Sequence, residues 1–360
     1  MPIPVTKPFM PPLEEYQALL EGIWEREWLT NHGPLVTELE SALRSHLGVQ
    51  NLVYVTNGTI AIQIALKALG ISGEIITTPF SYVATVSSAM WEGLQPVMAD
   101  IDPASLNLDP SLIEAAITDR TTAILATHVF GNPCDVIAIQ EIADRHKLKV
   151  IYDAAHAFGT RYAGQSVYAY GDAATASFHA TKLFHTVEGG AIFTRSEQDL
   201  LAVSRMRNFG HVTPTSFDRI GINGKNSEFH AAFGLVNLRY IAAIHERRKA
   251  ISERYDRALG NSVGRPTLLP GCEYNFAYYP VLVDNEATLL KLVSALEARD
   301  VIPRRYFYPS LSELPYLTHR RQTPVSSDIA RRILCLPLYH TLSEGDQDLV
   351  CSVVLDVVGR

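Results

Sequence analysis

Between residues 50 and 195, short runs of β-forming apolar residues alternate with segments of helical pattern. Seven such runs occur: Leu52–Thr56, Glu74–Thr78, Pro96–Ile101, Ala123–Phe130, Leu148–Tyr152, Ala173–Phe178 and Ala191–Thr194. They are nearly continuous in apolar residues, which is typical of strands that helices cover on both faces. The pattern predicts an α/β fold with a mostly parallel, seven-stranded sheet.

Helical patterns fill the intervals between these runs and continue beyond them. Ser111–Ile117 and Val136–His146 carry apolar residues every three or four positions, so each segment can lay one face on the sheet. A charge-rich stretch, Asn237–Leu259, predicts a long connecting helix.

The remainder of the chain has a different pattern. It contains the strand-like segment NFAYYPVLV, a helical segment Glu286–Arg299 and the strand-like segment VIPRRYFY. We therefore predict two domains: residues 1–245 form an N-terminal arm and the large α/β domain, and residues 246–360 form a smaller α+β domain.

The charge balance and the cysteines exclude several classes of protein. The chain has 31 Lys+Arg against 38 Asp+Glu, a formal charge of −7, so it offers no basic surface for nucleic acid or an anionic membrane. No signal-peptide pattern and no long apolar run is present. The four cysteines lie far apart, without the spacing of a zinc site. We expect a cytoplasmic protein with no nucleic acid or membrane partner.

Four segments of the predicted α/β domain carry residues suited to one cofactor. The first is TNGTIAIQIALKAL, in which a strand ends at Thr56, a tight turn follows and an amphipathic helix begins. Free backbone N–H groups of Gly58 and Thr59 at such a helix start can hold a phosphate. The alternative is an ordinary capped turn without a ligand.

The second and third segments supply a carboxylate and an amine. In VIYDAAHAFG an apolar strand runs into Asp153, with His156 three residues later. A carboxylate at a strand end needs a cation or a donor, unless it caps a helix. In SFHATKLFHTVEGGAIFT, Lys182 lies in a polar turn between two strands. A partly desolvated lysine there can react with an aldehyde, and the alternative is a solvated surface charge.

The fourth segment, TTPFSYVAT, places Phe80 and Tyr82 just after a strand end. An aromatic ring at that position can stack on a flat heterocycle or pack in the core. Together the four segments match the needs of pyridoxal 5'-phosphate (PLP), which are a lysine for its aldehyde, a carboxylate for its pyridine nitrogen, a phosphate site and a stacking ring. We therefore predict PLP as the cofactor and no bound metal.

The ordered series of motifs resembles the DegT/DnrJ/EryC1/StrS family of PLP-dependent sugar aminotransferases, which have the fold-type I aminotransferase architecture. The resemblance runs from WLTNHGPLVTELE through HVFGNPCD and RNFGH to ILCLPLYHTLSEGD near the C-terminus. It implies that Lys182 bonds covalently to the cofactor and moves the proton. The other cofactor contacts that it implies are Asp153 at the ring nitrogen, His156 near the ring hydroxyl, Tyr82 stacked on the ring, and Gly58, Thr59 and Ser177 at the phosphate.

The resemblance also implies a homodimer with shared active sites. Asn223, in GINGKNSE, matches an asparagine that relatives lend from the partner subunit to the cofactor phosphate. Relatives commonly have Arg-Met where this chain has Lys225 followed by Asn, which puts a substrate contact there in doubt. One branch of the family replaces the lysine by histidine and catalyses dehydration. Lys182 therefore favours transamination, and the roles of the flanking His179 and His185 stay open.

The segments SFHATKLFHTVEGGAI and WLTNHGP are most similar to the subgroup that aminates carbon 4 of a nucleotide-linked 4-keto-6-deoxy hexose. The expected reaction moves the amino group of L-glutamate to dTDP-4-dehydro-6-deoxy-D-glucose, for a surface polysaccharide such as the lipopolysaccharide O antigen. A GDP- or UDP-linked sugar and amination at carbon 3 are alternatives. Outside transamination, the alternatives are a sugar dehydratase that uses pyridoxamine phosphate and a non-catalytic relative that binds the cofactor.

The nucleotide diphosphate of such a substrate requires local cations because the chain is acidic overall. Arg304, Arg305 and Lys225 are the candidates, and arginine suits phosphate because it can form two parallel hydrogen bonds. Asn31 and His32 are candidates for the sugar site. The alternatives are solvated surface charges for the three cations and a helix-capping turn for Asn31 and His32.

Overall fold

The computed structural model of the protein describes residues 2–317 and 321–359. Its helices in those ranges are α1 (Leu13–Arg26), α2 (Pro34–Leu47), α3 (Gly58–Ala68), α4 (Val83–Trp91), α5 (Val136–His146), α6 (Glu197–Met206), α7 (Glu228–Leu259), α8 (Glu286–Glu297), α9 (Pro324–Arg332) and α10 (Glu344–Val358). Its strands are β1 (Ile3–Pro4), β2 (Leu52–Val55), β3 (Glu74–Thr77), β4 (Gln95–Met98), β5 (Thr121–Thr127), β6 (Lys149–Asp153), β7 (Arg161–Tyr162), β8 (Gln165–Ser166), β9 (Ala173–Ser177), β10 (Gly190–Thr194), β11 (His211–Thr213), β12 (Ser216–Phe217), β13 (Cys272–Glu273), β14 (Tyr279–Leu282), β15 (Val301–Ile302) and β16 (Ile333–Leu336).

A seven-stranded sheet forms the centre of the larger part of the fold. Its strand order is β2-β10-β9-β6-β5-β3-β4. The pairs from β9 to β4 are parallel, whereas β10 runs antiparallel to both of its neighbours. Each strand corresponds to one of the seven apolar runs of the sequence. The prediction of a mostly parallel, seven-stranded α/β sheet is therefore confirmed.

Helix α5 shows how the apolar spacing of the sequence produces a covering helix. Asp135 caps it by accepting a hydrogen bond from the backbone N–H of Ala138 at 3.0 Å. Ile139 and Ala143 are buried in the core, four residues apart on one face of the helix. The predicted helix Val136–His146 is confirmed at both ends.

Two other local predictions are wrong. Ser111–Ile117 forms two short 3-10 turns, Pro110–Leu112 and Glu114–Ala116, because a segment this short cannot complete enough α-helical hydrogen bonds to stabilise itself. In VIPRRYFY only Val301–Ile302 is a strand. The proline that follows lacks a backbone donor for a continued ladder.

The C-terminal part of the chain has a core of its own. Strands β14 and β16 pair antiparallel, and α8, α10 and the second half of α7 contribute buried leucine, valine and tyrosine side chains around them. Ile3 of β1 joins this core through parallel pairing with β15. Helix α7 is continuous across residue 245, and the division of the chain into two domains at that residue stays a prediction.

Two further features bear on the class of protein. Among the residues that the structure describes, no helix is both long enough and apolar enough to cross a membrane. The four cysteines are free thiols, and three of them are buried.

Helix α9 is held against the large sheet by a buried carboxylate. Asp100, just beyond β4, accepts hydrogen bonds from the backbone N–H groups of Val325 and Ser326 at 2.8 and 3.0 Å. These groups belong to the first turn of α9 and have no partner within the helix. The contact connects the C-terminal part of the chain to the carboxyl end of the large sheet, where the candidate site lies.

We expect Asp100→Ala to lower the free energy of unfolding by about 1–2 kcal/mol, because it leaves helix donors of α9 without an acceptor. Urea unfolding followed by circular dichroism measures the change. Asp109→Ala is the matched control, since Asp109 caps only one exposed turn at Ser111 and should cost less than about 0.5 kcal/mol. Equal losses in the two variants would contradict the role given to Asp100.

Candidate active site

A cavity of about 360 Å³ opens at the carboxyl ends of β5, β6 and β9, beside the start of α3. Ligands of open α/β sheets bind at this edge. Eight of the residues predicted for the site line this cavity: Gly58, Thr59, Tyr82, Asp153, His156, Ser177, Lys182 and Arg304. Residues from all four sequence segments therefore meet in one place.

The start of α3 forms one corner of the cavity. Asn57 caps the helix by accepting a hydrogen bond from the N–H of Ile60 at 2.9 Å, so the N–H groups of Gly58 and Thr59 stay free of partners within the described residues. Position 58 requires glycine, since a Cβ there would lie 2.9 Å from the Cβ of Ser177. Free helix N–H groups beside a serine hydroxyl suit an anion.

Asp153 ends β6 and is buried at the inner wall of the cavity. Its Oδ2 accepts a hydrogen bond from the hydroxyl of Thr85 at 2.7 Å, and its Oδ1 accepts one from the N–H of Ala155 at 3.2 Å. The described residues between β6 and β7 form turns rather than a helix, so the alternative of a helix cap does not apply. Burial raises the pKa of Asp153, against the lowering effect of these donors and of Lys182.

Lys182 lies in the turn between β9 and β10 and points into the cavity rather than into bulk solvent. Its backbone N–H donates to the carbonyl of His179 at 2.8 Å, which closes the turn. Desolvation lowers the pKa of Lys182 to about 8; Arg304 adds to this effect and the Asp153 charge opposes it. The alternative of a solvated surface charge is therefore excluded.

His156 is buried among aromatic rings on the far side of the cavity. Its ring stacks on Phe307 with centroids 5.5 Å apart and meets Tyr278 at 4.5 Å. Burial holds the pKa of His156 well below its usual value, with Lys182 and Arg304 acting in the same direction, so the ring is neutral. Its Nδ1 is buried and has no hydrogen-bond partner among the described residues.

The two aromatic residues of TTPFSYVAT have different environments. Phe80 is fully buried and packs against Phe130 and Phe307, so it belongs to the core. Tyr82 is 56% exposed and lines the cavity at the start of α4. Of these two residues, only Tyr82 lines the cavity.

Several lining residues were not predicted from the sequence. They are Asn57, Ile62, Ser81, Ala84, Thr127, Ala155, Thr175, Ala176, His179, Thr181, Glu188, Tyr306 and Phe307. Thr127 and Thr175 could have been found, because each is a hydroxyl residue at or near the carboxyl end of a predicted parallel strand. The imidazole of His179 lies 3.6 Å from the carboxylate of Glu188, which gives it a place at the rim.

Three of the predicted substrate residues form a second cavity of about 200 Å³. Asn31, His32 and Lys225 line it with Ser204, Arg205, Arg207, Asn208 and His211. The buried Arg207 pairs with Glu40 at 2.6 Å and lies 3.1 Å from Nδ1 of His32. Burial lowers the pKa of Lys225, and its ammonium lies 4.5 Å from the centre of the Phe209 ring. Three of the described lining residues are arginine or lysine and none is a carboxylate, so the cavity is basic.

The structure does not bring the last two predicted residues into either cavity. Arg305 pairs with Glu286 at 2.8 Å and stacks over the Tyr308 ring. Asn223 is exposed on the loop before α7, where it pairs with Asn208 through a β-bridge. Asn223 therefore does not line the cavity that contains Lys182.

The residues of the first cavity fit PLP. The corner at Gly58 offers unpartnered N–H donors for a phosphate, and the orphaned Nδ1 of His156 is available to a ring substituent. A buried carboxylate and an amine with a pKa of about 8 line the same space, as the ring nitrogen and the aldehyde require.

Comparison with known proteins agrees with this chemistry. The sequence profile described as the "DegT/DnrJ/EryC1/StrS aminotransferase family" matches residues 13–355. A dTDP-4-amino-4,6-dideoxy-D-glucose transaminase of Shigella dysenteriae is 42% identical over 363 residues, which cover 99% of each chain. A GDP-perosamine synthase of Caulobacter vibrioides is 33% identical over 92% of each chain. The crystal structure of DesI with its TDP-sugar product has a TM-score of 0.93 and 32% identity, and covers all of this chain and 93% of DesI.

The lowered pKa of Lys182 predicts a pH dependence for its reaction with aldehydes. Reductive methylation of Lys182, followed by mass spectrometry, should reach half its maximum near pH 8, whereas an ordinary lysine titrates near pH 10.4. Asp153→Asn should move the midpoint further down, because it removes the negative charge that stabilises the ammonium. Asp172→Asn, which removes the partner of Lys149, should leave it unchanged. A midpoint that rises in Asp153→Asn would contradict the coupling.

Proposed function

Since the chain belongs to the DegT/DnrJ/EryC1/StrS aminotransferase family, we propose that it transfers the amino group of L-glutamate to carbon 4 of a dTDP-linked 4-keto-6-deoxy hexose. The protein is a PLP-dependent sugar aminotransferase. The observation that carries the proposal is the meeting of Lys182, Asp153 and the start of α3 in one cavity. The product would be dTDP-4-amino-4,6-dideoxy-D-glucose.

Different residues of the cavity would contact different parts of PLP, according to their chemistry. Gly58, Thr59 and Ser177 would hold the phosphate, Tyr82 would stack on the ring, and the carboxylate of Asp153 would pair with the ring nitrogen. Neutral His156 would hydrogen-bond the ring hydroxyl through its free nitrogen. When bound, PLP carries the amino group between the two substrates and delocalises the electron pair released at the reacting carbon.

Lys182 acts as base and then as acid in this proposal. With a pKa of about 8, a substantial fraction of its amines is unprotonated at neutral to mildly alkaline pH, so Nζ can accept a proton and return it. Asp153 supplies the opposing charge, and Arg304 at the mouth of the cavity can hold an anionic group of the substrate. The presence of Lys182 supports transamination over the dehydratase and over a non-catalytic protein that binds the cofactor.

The choice of sugar rests on the relatives. The chain matches the whole length of a relative named for dTDP-4-amino-4,6-dideoxy-D-glucose at 42% identity, and matches a GDP-perosamine synthase at 33%. These identities support the dTDP sugar ahead of a GDP- or UDP-linked one. Amination at carbon 3 is the alternative. We also propose that the protein is cytoplasmic and that its product is used to make a surface polysaccharide such as the O antigen.

A homodimer with shared active sites completes the proposal. Asn223 is exposed and does not line the Lys182 cavity, and it pairs with Asn208 of the basic cavity around Lys225. In a two-fold dimer, one subunit's Asn223 would reach the cofactor phosphate of the other, and the basic cavity would hold the nucleotide diphosphate. Asn31 and His32 would then line the sugar site.

A spectroscopic and product assay tests the activity. Addition of L-glutamate to the PLP-loaded protein should shift the absorbance of the bound cofactor, and addition of dTDP-4-dehydro-6-deoxy-D-glucose should restore it and yield the 4-amino sugar. Lys182→Ala should lose about a thousandfold or more of the turnover, because it removes the base. GDP- and UDP-linked 4-keto sugars and a 3-keto sugar serve as comparisons. Turnover of another sugar alone would contradict the proposed substrate. Full activity of Lys182→Ala would contradict the proposed mechanism.

Mixing two defective subunits tests the shared site. Lys182→Ala and Asn223→Ala homodimers, assayed at low PLP, should each be impaired. Co-expressed subunits should regain about a quarter of wild-type activity, because half of the dimers are mixed and each mixed dimer has one intact site. No recovery above the parent variants would contradict a contribution of Asn223 across the dimer.

A further inference from the structure

Three buried hydroxyl groups form a series that ends at Asp153. The hydroxyl of Thr127 donates to Oγ of Ser81 at 2.9 Å, and Ser81 Oγ lies 2.7 Å from Oγ1 of Thr85. Thr85 donates to Oδ2 of Asp153 at 2.7 Å. Each hydroxyl residue is at most 3% exposed. Burial of a hydroxyl group costs free energy unless the group is hydrogen-bonded. Three buried hydroxyls beside one carboxylate therefore indicate a specific role.

The backbone places the two ends of the series side by side. Thr127 and Asp153 are register partners at the carboxyl ends of the parallel strands β5 and β6. Ser81 lies in the turn after β3, and Thr85 follows it by four residues in the first turn of α4. The series therefore runs from one strand end, through the turn and the helix, to the neighbouring strand end.

The carboxylate of Asp153, at the end of the series, fixes the direction of every hydrogen bond in it. An ionised carboxylate can only accept, so Thr85 must use its proton on Asp153. Ser81 must then donate to Thr85, and Thr127 must donate to Ser81. The three hydroxyl dipoles point the same way, with their positive ends toward Asp153, and such chains polarise one another.

The other groups around Asp153 are few. The amine of Lys182 lines the same cavity and acts on its charge, and Arg304 and neutral His156 also line that cavity. The buried Tyr168 hydroxyl lies behind it and donates to the carbonyl of Ala154 at 3.4 Å. The N–H of Ala155 is the second donor to the carboxylate. Of the described residues, only Thr85 donates a side-chain hydrogen bond to Asp153.

We propose that Thr127, Ser81 and Thr85 act as positioning residues, which hold Asp153 ionised and leave Oδ1, whose one donor among the described residues is the N–H of Ala155, able to accept a further hydrogen bond from the ligand. The ring nitrogen of PLP as that ligand rests on the proposed function, whereas the effect on Asp153 itself does not. Thr85 does not line the cavity, so it acts on any ligand only through the carboxylate. Burial alone would drive Asp153 toward its neutral form, which could not pair with a protonated ring nitrogen.

The titration of Asp153 in the full-length protein without added substrate tests the proposal. Infrared difference spectroscopy follows the carboxyl stretch, and its loss in Asp153→Asn assigns the signal. Thr85→Val, which keeps the side-chain shape, should raise the midpoint by about one pH unit, the effect of losing a hydrogen bond to the charged form. Thr85→Ser should restore it. Ser81→Ala should raise it by a smaller amount, because it acts through Thr85.

Ser88→Ala is the matched control. Ser88 lies one turn after Thr85 on α4, is equally buried, and its Oγ has no hydrogen-bond partner in the described part of the chain. Its removal should leave the titration unchanged. An unchanged midpoint in Thr85→Val would overturn the proposal, and an unchanged midpoint in Ser81→Ala would reduce the series to a single hydrogen bond and overturn it as a chain.

Equilibrium binding of PLP gives a second readout. Thr85→Val should weaken PLP binding by up to about tenfold below the titration midpoint of Asp153, and progressively less above it, where Asp153 is ionised in both proteins. If Thr85→Val does not fold, the titration of Asp153 in Ser81→Ala keeps the test available; PLP binding to that variant does not, because Ser81 itself lines the cavity. A pH-independent loss of binding would indicate a structural defect and contradict the proposal. If Asp153 titrates as expected but PLP does not bind, the proposed function fails while this inference stands.

Discussion

The removal of Asp153 and Lys182 from water at the same edge of a parallel sheet is the constraint on which the rest of the site depends. Parallel strands deliver the ends of β5, β6 and β9 to one edge, and both groups lose solvation there. Desolvation raises the pKa of the carboxylate and lowers that of the amine, whereas their mutual attraction opposes both shifts. The balance leaves a reactive amine beside an acid that needs donors to stay charged.

The surroundings of this pair are arranged to serve it. Glycines at positions 58 and 190 allow the start of α3 to approach the turn after Lys182, since a Cβ on Gly190 would lie 2.5 Å from the Asn57 backbone. Aromatic packing keeps His156 neutral, and the hydroxyl series from Thr127 supports Asp153. Each of these features lowers the stability of the fold, because polar groups are desolvated or because the backbone must pack unusually closely. Such a cost is typical of functional sites.

The sequence was sufficient to predict the sheet and the main contents of the cavity, because both depend on short-range patterns. Continuous apolar runs indicated the strands; Asp153 follows one of them directly, and Lys182 lies four residues after the end of another. It could not predict that Arg305 pairs with Glu286, since Arg305 lies in a loop, Glu286 lies on α8, and their pairing depends on tertiary packing. The roles of Ser81 and Thr85 were missed for the same reason: hydroxyls four residues apart become a series only when β5 and β6 place Thr127 and Asp153 in register.

Reduction of the PLP-loaded protein with borohydride, followed by peptide mapping in a mass spectrometer, tests the central claim most directly. The claim is that the cavity at the ends of β5, β6 and β9 holds the cofactor through its one lining lysine among the described residues. The phosphopyridoxyl group should appear on the peptide that contains Lys182, and Gly58→Ala should reduce its yield by crowding Ser177. Attachment to another lysine, or none at all, would contradict the account.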